Sequence, residues 1–296
     1  MFRKFGRRME GYFFVLPAVI FMLLLIGYPL LYNIILSFQN VDLSNLSSPD
    51  KAFVGFENYK NLVQDNAFRT AITNTLIYTV GSVFVQVIIG FLLALFFSMK
   101  FKLAGVLRGL MMISWLIPMT VTALLFKFMM GSNEGIINQM LLSLNFIDHP
   151  VGWLSDPKIA LWSVIIANIW VGIPFNMLLL STGLSGLPKD VYESASLDGA
   201  NWFHKMIYIT LPLLRPVIMV VLMLGFIYTF KVFDIVYVMT GGGPINSTEV
   251  LSTLAFQYSF TDFDFSVGAA AANVLFLILF VISLVYLKMI KKDEVL

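Results

Sequence analysis

Residues 192–216 read YESASLDGANWFHKMIYITLPLLRP. The stretch carries Glu193, Asp198, His204 and Lys205, an Asp-Gly pair and two prolines, yet it lies between two long apolar runs. A helix needs about 20 apolar residues to cross a bilayer core, and both runs meet that length. The segment therefore reads as a polar hairpin held at one membrane face.

The whole chain supports a membrane setting. Of its 296 residues 59% are hydrophobic and 12% charged, against about 45–50% and about 25% in soluble domains. A soluble core cannot absorb that much apolar surface. Six runs are long enough to span, near 11–38, 72–99, 106–130, 158–182, 213–239 and 266–289. They lack the period-two alternation of barrel strands. The expected fold is an all-α membrane protein, a single domain over 1–296, with a polar two-helix loop at 183–212 between spans four and five. The basic, then apolar start is similar to a signal peptide, but its apolar body runs on to Phe38 with no small-residue cleavage site. It is expected to be retained as the first span.

Lysine and arginine orient the spans. Arg3, Lys4, Arg7, Arg8, Lys100, Lys102, Arg108, Lys189, Lys205, Arg215, Lys288, Lys291 and Lys292 fall on one side, and Lys51, Lys60, Arg69 and Lys158 on the other. The richer side is expected to be the cytoplasm, with both termini and residues 192–216 on it.

Several chemistries are excluded. There is no cysteine for disulfides, thiolate metal sites or a nucleophile. No HExxH, GxSxG or GxxxxGK[ST] pattern occurs. His149 and His204 fall on opposite faces. The chain is expected to bind no cofactor, no metal and no nucleic acid, and not to be an enzyme.

Local chemistry shapes the polar segment. Pro188 suits a first helical turn, and Asp190 and Glu193 complement that helix's dipole. Asp198-Gly199 marks a turn, and Asn201 can cap a second helix over about 202–209. Pro212 and Pro216 then lead into span five. An interfacial loop anchored by Trp202 and Lys205 would show many of the same features.

The order of residues goes further. Glu193, Ala195, Asp198, Gly199, Ala200, Leu211, Pro212 and Pro216 match the "EAA" signature of permease subunits in binding-protein-dependent ABC importers, with Ser194 where alanine is usual. The wider chain resembles the carbohydrate branch of that family, the maltose-type and glycerol-3-phosphate-type permeases. FVGFENYKNLVQD at 53–65, FDIVYVMTGGGP at 233–244 and FSVGAAAANVLFLI at 265–278 carry that likeness. The resemblance implies that the segment is a coupling helix docking on a cytoplasmic ATPase. It implies a second homologous permease, two ATPase subunits that consume the ATP, an extracytoplasmic solute-binding protein and a sugar, oligosaccharide or polyol as solute. It also implies a bacterial or archaeal inner membrane, lipid around the spans, and a sugar path lined in part by span five.

Polar groups inside spans are the other candidates, because hydrocarbon makes them costly. They are Lys127, Lys231 and Asp234, with Asn74, Gln86, Asn168, Asn176 and Asn273. Lys231 and Asp234 are three apart, so on a continuous helix they share a face. They read either as path-lining groups or as a self-neutralising pair. Tyr228, Phe233 and Tyr237 beside them suit sugar C–H faces or simple packing. Lys127 is near enough to the outer end of span three to snorkel, and the amides suit interhelical bridges equally well. A charged solute, such as a glycerol phosphodiester or amino-sugar conjugate, and a non-transporting scaffold or sensor remain alternatives.

Overall fold

The structure, a computed structural model, describes residues 2–99 and 101–293, with side chains for 12–99 and 101–289. The side chains of Arg3, Lys4, Arg7, Arg8, Lys291 and Lys292, and all of Lys100, lie outside the described residues.

The chain is helical almost throughout. Helix α1 (Phe2–Met22) passes through a π-helical turn at Leu23–Gly27 into α2 (Tyr28–Leu36). A small antiparallel ribbon follows, β1 (Gln39–Asn40) against β2 (Ala52–Phe53), then α3 (Glu57–Gln64) and the long α4 (Asn66–Ser98). Next come α5 (Ala104–Leu116), α6 (Met119–Met129), α7 (Ile136–Ser143) and α8 (Ala160–Ser185). The polar segment forms α9 (Lys189–Leu197) and α10 (Trp202–Lys205), followed by a π-helical turn at Met206–Thr210. The chain closes with α11 (Leu211–Phe230), α12 (Asp234–Met239), α13 (Leu251–Phe256) and α14 (Phe265–Asp293).

Five helices are long and apolar enough to cross a membrane: Tyr12–Leu36, Asn66–Ser98, Ala160–Ser185, Trp202–Phe230 and Phe265–Met289. A sixth is reached by counting α5 and α6 as one broken span, which bends by 94°. Pro118 explains the break. It disfavours helical geometry at the residue before it, and Ile117 is extended at ψ 132°.

Two compact units divide the chain. The first comprises the residues up to Asp65 together with Ala255–Val274. Phe38 is ringed there by Phe53, Phe56 and Tyr59. A polar chain runs through the same unit. Asn33 Nδ2 donates to Asn273 Oδ1 at 2.7 Å, Asn273 Nδ2 donates to the Tyr59 hydroxyl at 3.2 Å, and that hydroxyl meets Ser37 Oγ at 2.8 Å. Asn273 thus serves its own unit as a bridge.

The second unit comprises Asn66–Leu254 together with the residues from Leu275 on. Its centre is the packing of α4 on α8. Gly90 of α4 permits the close approach, since a Cβ there would lie 2.8 Å from Asn176 Cβ and 3.0 Å from Met177 N of α8. More than half of the apolar window of α8 is buried (56%). Leu161, Val164, Ile165 and Val171 of α8 pack with Tyr78 of α4 and with Ile235, Val236 and Met239 of α12. Asn74 of α4 is buried and donates to the carbonyls of Asn246, Ser247 and Glu249, which pins the loop after α12.

Candidate functional site

Two regions of the second unit hold most of the residues singled out above, one at each end of the helix Trp202–Phe230.

At the α10 end, α9 starts after Pro188, whose extended backbone (ψ 125°) makes it the N-cap. The helix stops at Asp198, and Gly199 takes φ +78°. That left-handed geometry is open to glycine and costly for most residues. Ala200 N then donates to Ala195 O at 2.9 Å, closing the turn. The Asn201 side chain accepts from His204 N at 2.9 Å and so caps α10. Lys205 Nζ donates to Ser196 Oγ at 2.5 Å, and the Tyr192 and Thr210 hydroxyls meet at 2.8 Å. These bonds hold the two arms together. Glu193 and Asp198 stay exposed, Ala195 and Ala200 are half-buried, and Leu211 and Pro212 stand exposed at the start of α11.

The two prolines do not separate α10 from the span. The helix runs from Trp202 to Phe230 without a gap. The π-helical turn at Met206–Thr210 is the reason. Leu211 N reaches back to Met206 O, and Pro212, which has no N–H to donate, follows directly on this widened turn.

At the other end, Lys231 follows Phe230 out of helical geometry, and α12 restarts at Asp234. A cavity of about 440 Å³ opens here. Its walls are Gln86 of α4, Trp115 and Met119 at the α5–α6 break, and Asn168, Val171, Gly172, Phe175 and Asn176 of α8. Gly225, Tyr228 and Thr229 of α11 and Lys231–Asp234 complete it. Two broken helices therefore face one another across the unbroken α8. Non-helical backbone at membrane depth is tolerated where it lines a cavity.

The cavity is partly aromatic. Trp115 stacks on Phe175 with centroids 5.4 Å apart at 17°, and Phe175 meets Tyr228 edge-on at 6.3 Å. The Lys231 ammonium lies 5.5 Å from the Tyr228 ring centroid.

Its polar groups are incompletely used. Gln86 Nε2 donates to Asn168 O at 2.8 Å. Asn176 Nδ2 donates to Gly172 O at 2.7 Å, which fixes the amide and leaves Oδ1 facing no protein donor. Asn168 Nδ2 likewise meets no protein acceptor. Both residues are at least 95% buried. Leaving one such group unpaired costs about 1–3 kcal/mol.

Of the two readings of Lys231 and Asp234, the self-neutralising pair is not formed. Among the described residues no ion pair joins them, and both are exposed on the cavity wall. The helix breaks between them: Lys231 has ψ 16° and Phe233 φ −130°. A spacing of three then no longer means a shared face. Phe233 lines the cavity, whereas Tyr237 stacks on Phe233 at 5.0 Å outside its lining. Lys127 also lies outside it. Its Nζ donates to Val238 O at 2.9 Å, placing a cation at the C-terminal end of α12. Trp115 and Phe175 were not singled out in the sequence. The signal available was Ile117-Pro118, which breaks a span beside Trp115. Among the described residues no cluster of His, Asp or Glu is built to hold a metal.

Residues 86–290 match the family described as "binding-protein-dependent transport system inner membrane component". The chain belongs to this family. It is a membrane permease component of a transport system. It is 35% identical to the trehalose/maltose transport system permease protein MalF of Thermococcus litoralis over 285 residues, covering 96% of this chain and 95% of that one. It is 32% identical to the sulfoquinovosyl glycerol transport system permease protein SmoG of Agrobacterium fabrum, covering 98% and 92%. A bacterial ABC transporter that imports the acidic polysaccharide alginate shares the fold, with a TM-score of 0.83 at 22% identity over 98% of both chains.

Proposed function

We propose that the chain is a permease subunit of a carbohydrate ABC importer. It forms six spans with both termini in the cytoplasm, α5 and α6 making one broken span. In this reading Glu193, Ala195, Asp198, Gly199, Ala200, Leu211 and Pro212 dock on one of two ATPase subunits, which bind and hydrolyse the ATP. A second homologous permease completes the path, and an extracytoplasmic binding protein delivers the solute. The permease relatives named for trehalose/maltose and sulfoquinovosyl glycerol support a glycoside as solute.

The observation that carries the reading is the 440 Å³ cavity, where buried amide groups without protein partners stand beside a Trp115–Phe175 stack. Its size is within the range of small-molecule sites. A sugar hydroxyl both donates and accepts, so it suits a cavity walled by the amide residues Gln86, Asn168 and Asn176. The C–H faces of the ring suit the aromatic wall. Lys231 and Asp234 add a donor and an acceptor at the rim.

The test reconstitutes the complete transporter in vesicles and measures ATP hydrolysis and uptake with disaccharides, polyols and amino acids. Stimulation by a saccharide is expected, and stimulation by amino acids alone would overturn the reading. Cysteines placed at Ser132 and Ser194 are expected to label from opposite faces. Labelling from one face would overturn the topology.

A further inference from the structure

A second cavity, of about 650 Å³, lies beneath the polar segment, among the ends of α4, α8 and α9, the body of α5 and the start of the helix Trp202–Phe230. Arg108, Lys189 and Lys205 line it, opposed by one carboxylate, Glu193. Arg108 is half-buried. One of its Nη atoms donates to Phe97 O at 3.2 Å near the end of α4, its guanidinium lies 5.8 Å from the Phe97 ring centroid, and its buried Nε has no protein acceptor. Among the described residues none of these three cations lies within ion-pair range of a carboxylate. A built, half-enclosed site with excess positive charge is thus left uncompensated.

The cavity wall is also amphipathic. Leu95, Leu184 and Met206 share it with the cations. It sits where three candidate spans end or begin, at Ser98, Ser185 and Trp202. A free anion would use the cations and leave this apolar wall bare. An anionic phospholipid uses both, its phosphate on the cations and its glycerol and first methylenes on the wall.

We infer that this cavity seats the headgroup of an anionic phospholipid from the inner leaflet, held by Arg108, Lys189 and Lys205 against the polar segment. The inference rests on the topology proposed above, which puts this face on the cytoplasmic side. A lipid held there braces α9 against α4 and α5, so the leaflet's charge sets how firmly the segment is supported.

The test uses the intact transporter complex, purified in detergent and stripped of lipid. Short-chain phosphatidylglycerol, phosphatidylcholine and inorganic phosphate are added separately, and bound molecules are counted by native mass spectrometry. Phosphatidylglycerol is expected to be retained in clear preference to phosphatidylcholine. Each cation removed is expected to lower that retention about five-fold, from the energy of one basic side chain at an anionic surface. Arg108→Gln reads the buried cation. The double variant Lys189→Gln/Lys205→Gln reads the site without touching the Phe97 contact, should Arg108→Gln fail to fold. Unchanged retention in the double variant would overturn the inference. So would displacement of the lipid by inorganic phosphate with no preference between the two phospholipids, which would assign a free anion. Lipid counting does not depend on transport. Preference that survives in a complex inert to every saccharide would therefore refute the sugar reading alone, and saccharide uptake without lipid preference would refute this site alone.

Discussion

The two ends of the helix Trp202–Phe230 treat polar groups in opposite ways. In the α9–α10 segment three sets of polar groups are paired locally: Asn201 with His204, Lys205 with Ser196, Tyr192 with Thr210. At the cavity, Asn168 and Asn176 are nearly fully buried and each keeps an atom without a protein partner. Paired groups on a wet surface fix a shape. Unpaired groups in a buried wall raise the energy of the empty site, and a ligand with the matching donors and acceptors recovers that energy. On the proposed reading the segment is recognised as a surface and the cavity recognises a solute.

The strongest challenge to this contrast is Gly199→Val. Nothing lies within 4 Å of a Cβ at Gly199, so any loss comes from the φ of +78° or from an outside partner. Left-handed geometry costs most residues about 1–2 kcal/mol and β-branched ones more. Membrane levels are expected to stay near normal while ATPase co-purification and solute-stimulated hydrolysis fall more than about ten-fold. Gly199→Asn, which tolerates this φ, is expected to keep most of both. Equal failure of the two variants would move the cause from backbone shape to bulk at the docking contact.

Asn176→Leu tests the other end. Losing a hydrogen bond worth about 1–1.5 kcal/mol lowers apparent solute affinity about five- to ten-fold. Expression is expected to hold, because the variant also removes a buried carbonyl oxygen with no protein donor. A fall in expression with unchanged uptake per molecule would make the amide structural.

Glu249 sharpens the rule by lying outside both regions. It is buried, and its Oε1 also lacks a protein donor. Burial raises its carboxyl above the ordinary glutamate range, and the Thr253 hydroxyl offsets part of the rise. The folded chain then binds this proton more tightly than the unfolded one. Its contribution to stability is complete below the ordinary glutamate pKa and is lost as pH rises through the raised value. Thermal unfolding midpoints from about pH 4 to 8 should fall through that window in the native chain and stay flatter in Glu249→Gln. An identical profile in both would remove Glu249 as the source.

The smallest expected effect concerns Lys231 and Asp234. Neutralising each and then both should give stability changes that add to within about 0.5 kcal/mol, as for independent sites. A larger coupling would show that the two charges pair across the helix break.

Much of this was legible locally. The apolar runs marked five helices long enough to cross a membrane and the bent α5–α6 pair, and Gly199 and Asn201 take the turn and cap that their chemistry predicts. The amides at 86, 168 and 176 stood out because polar groups are expensive in hydrocarbon. What escaped depends on tertiary context. No proline or glycine announces the break at Val232–Phe233, so Lys231 and Asp234 read as neighbours. Pro212 read as a boundary, whereas a π-helical turn one step earlier absorbs it. Trp115 and Phe175 went unremarked, because only the tertiary fold sets them face to face. The role of Lys127 needed the end of α12 to be in place.

The unbroken run from Trp202 to Phe230 has a mechanical consequence. Its 29 residues at 1.5 Å each make a rod about 43 Å long. Tilting such a rod about one end by about 5° displaces the other by about 4 Å, roughly the rise of three helical residues. The rod carries α10 at one end and at the other the Tyr228 and Lys231 wall of the cavity. On the proposed reading, a few degrees of lever motion at the α10 end would shift one wall of that cavity by a comparable distance.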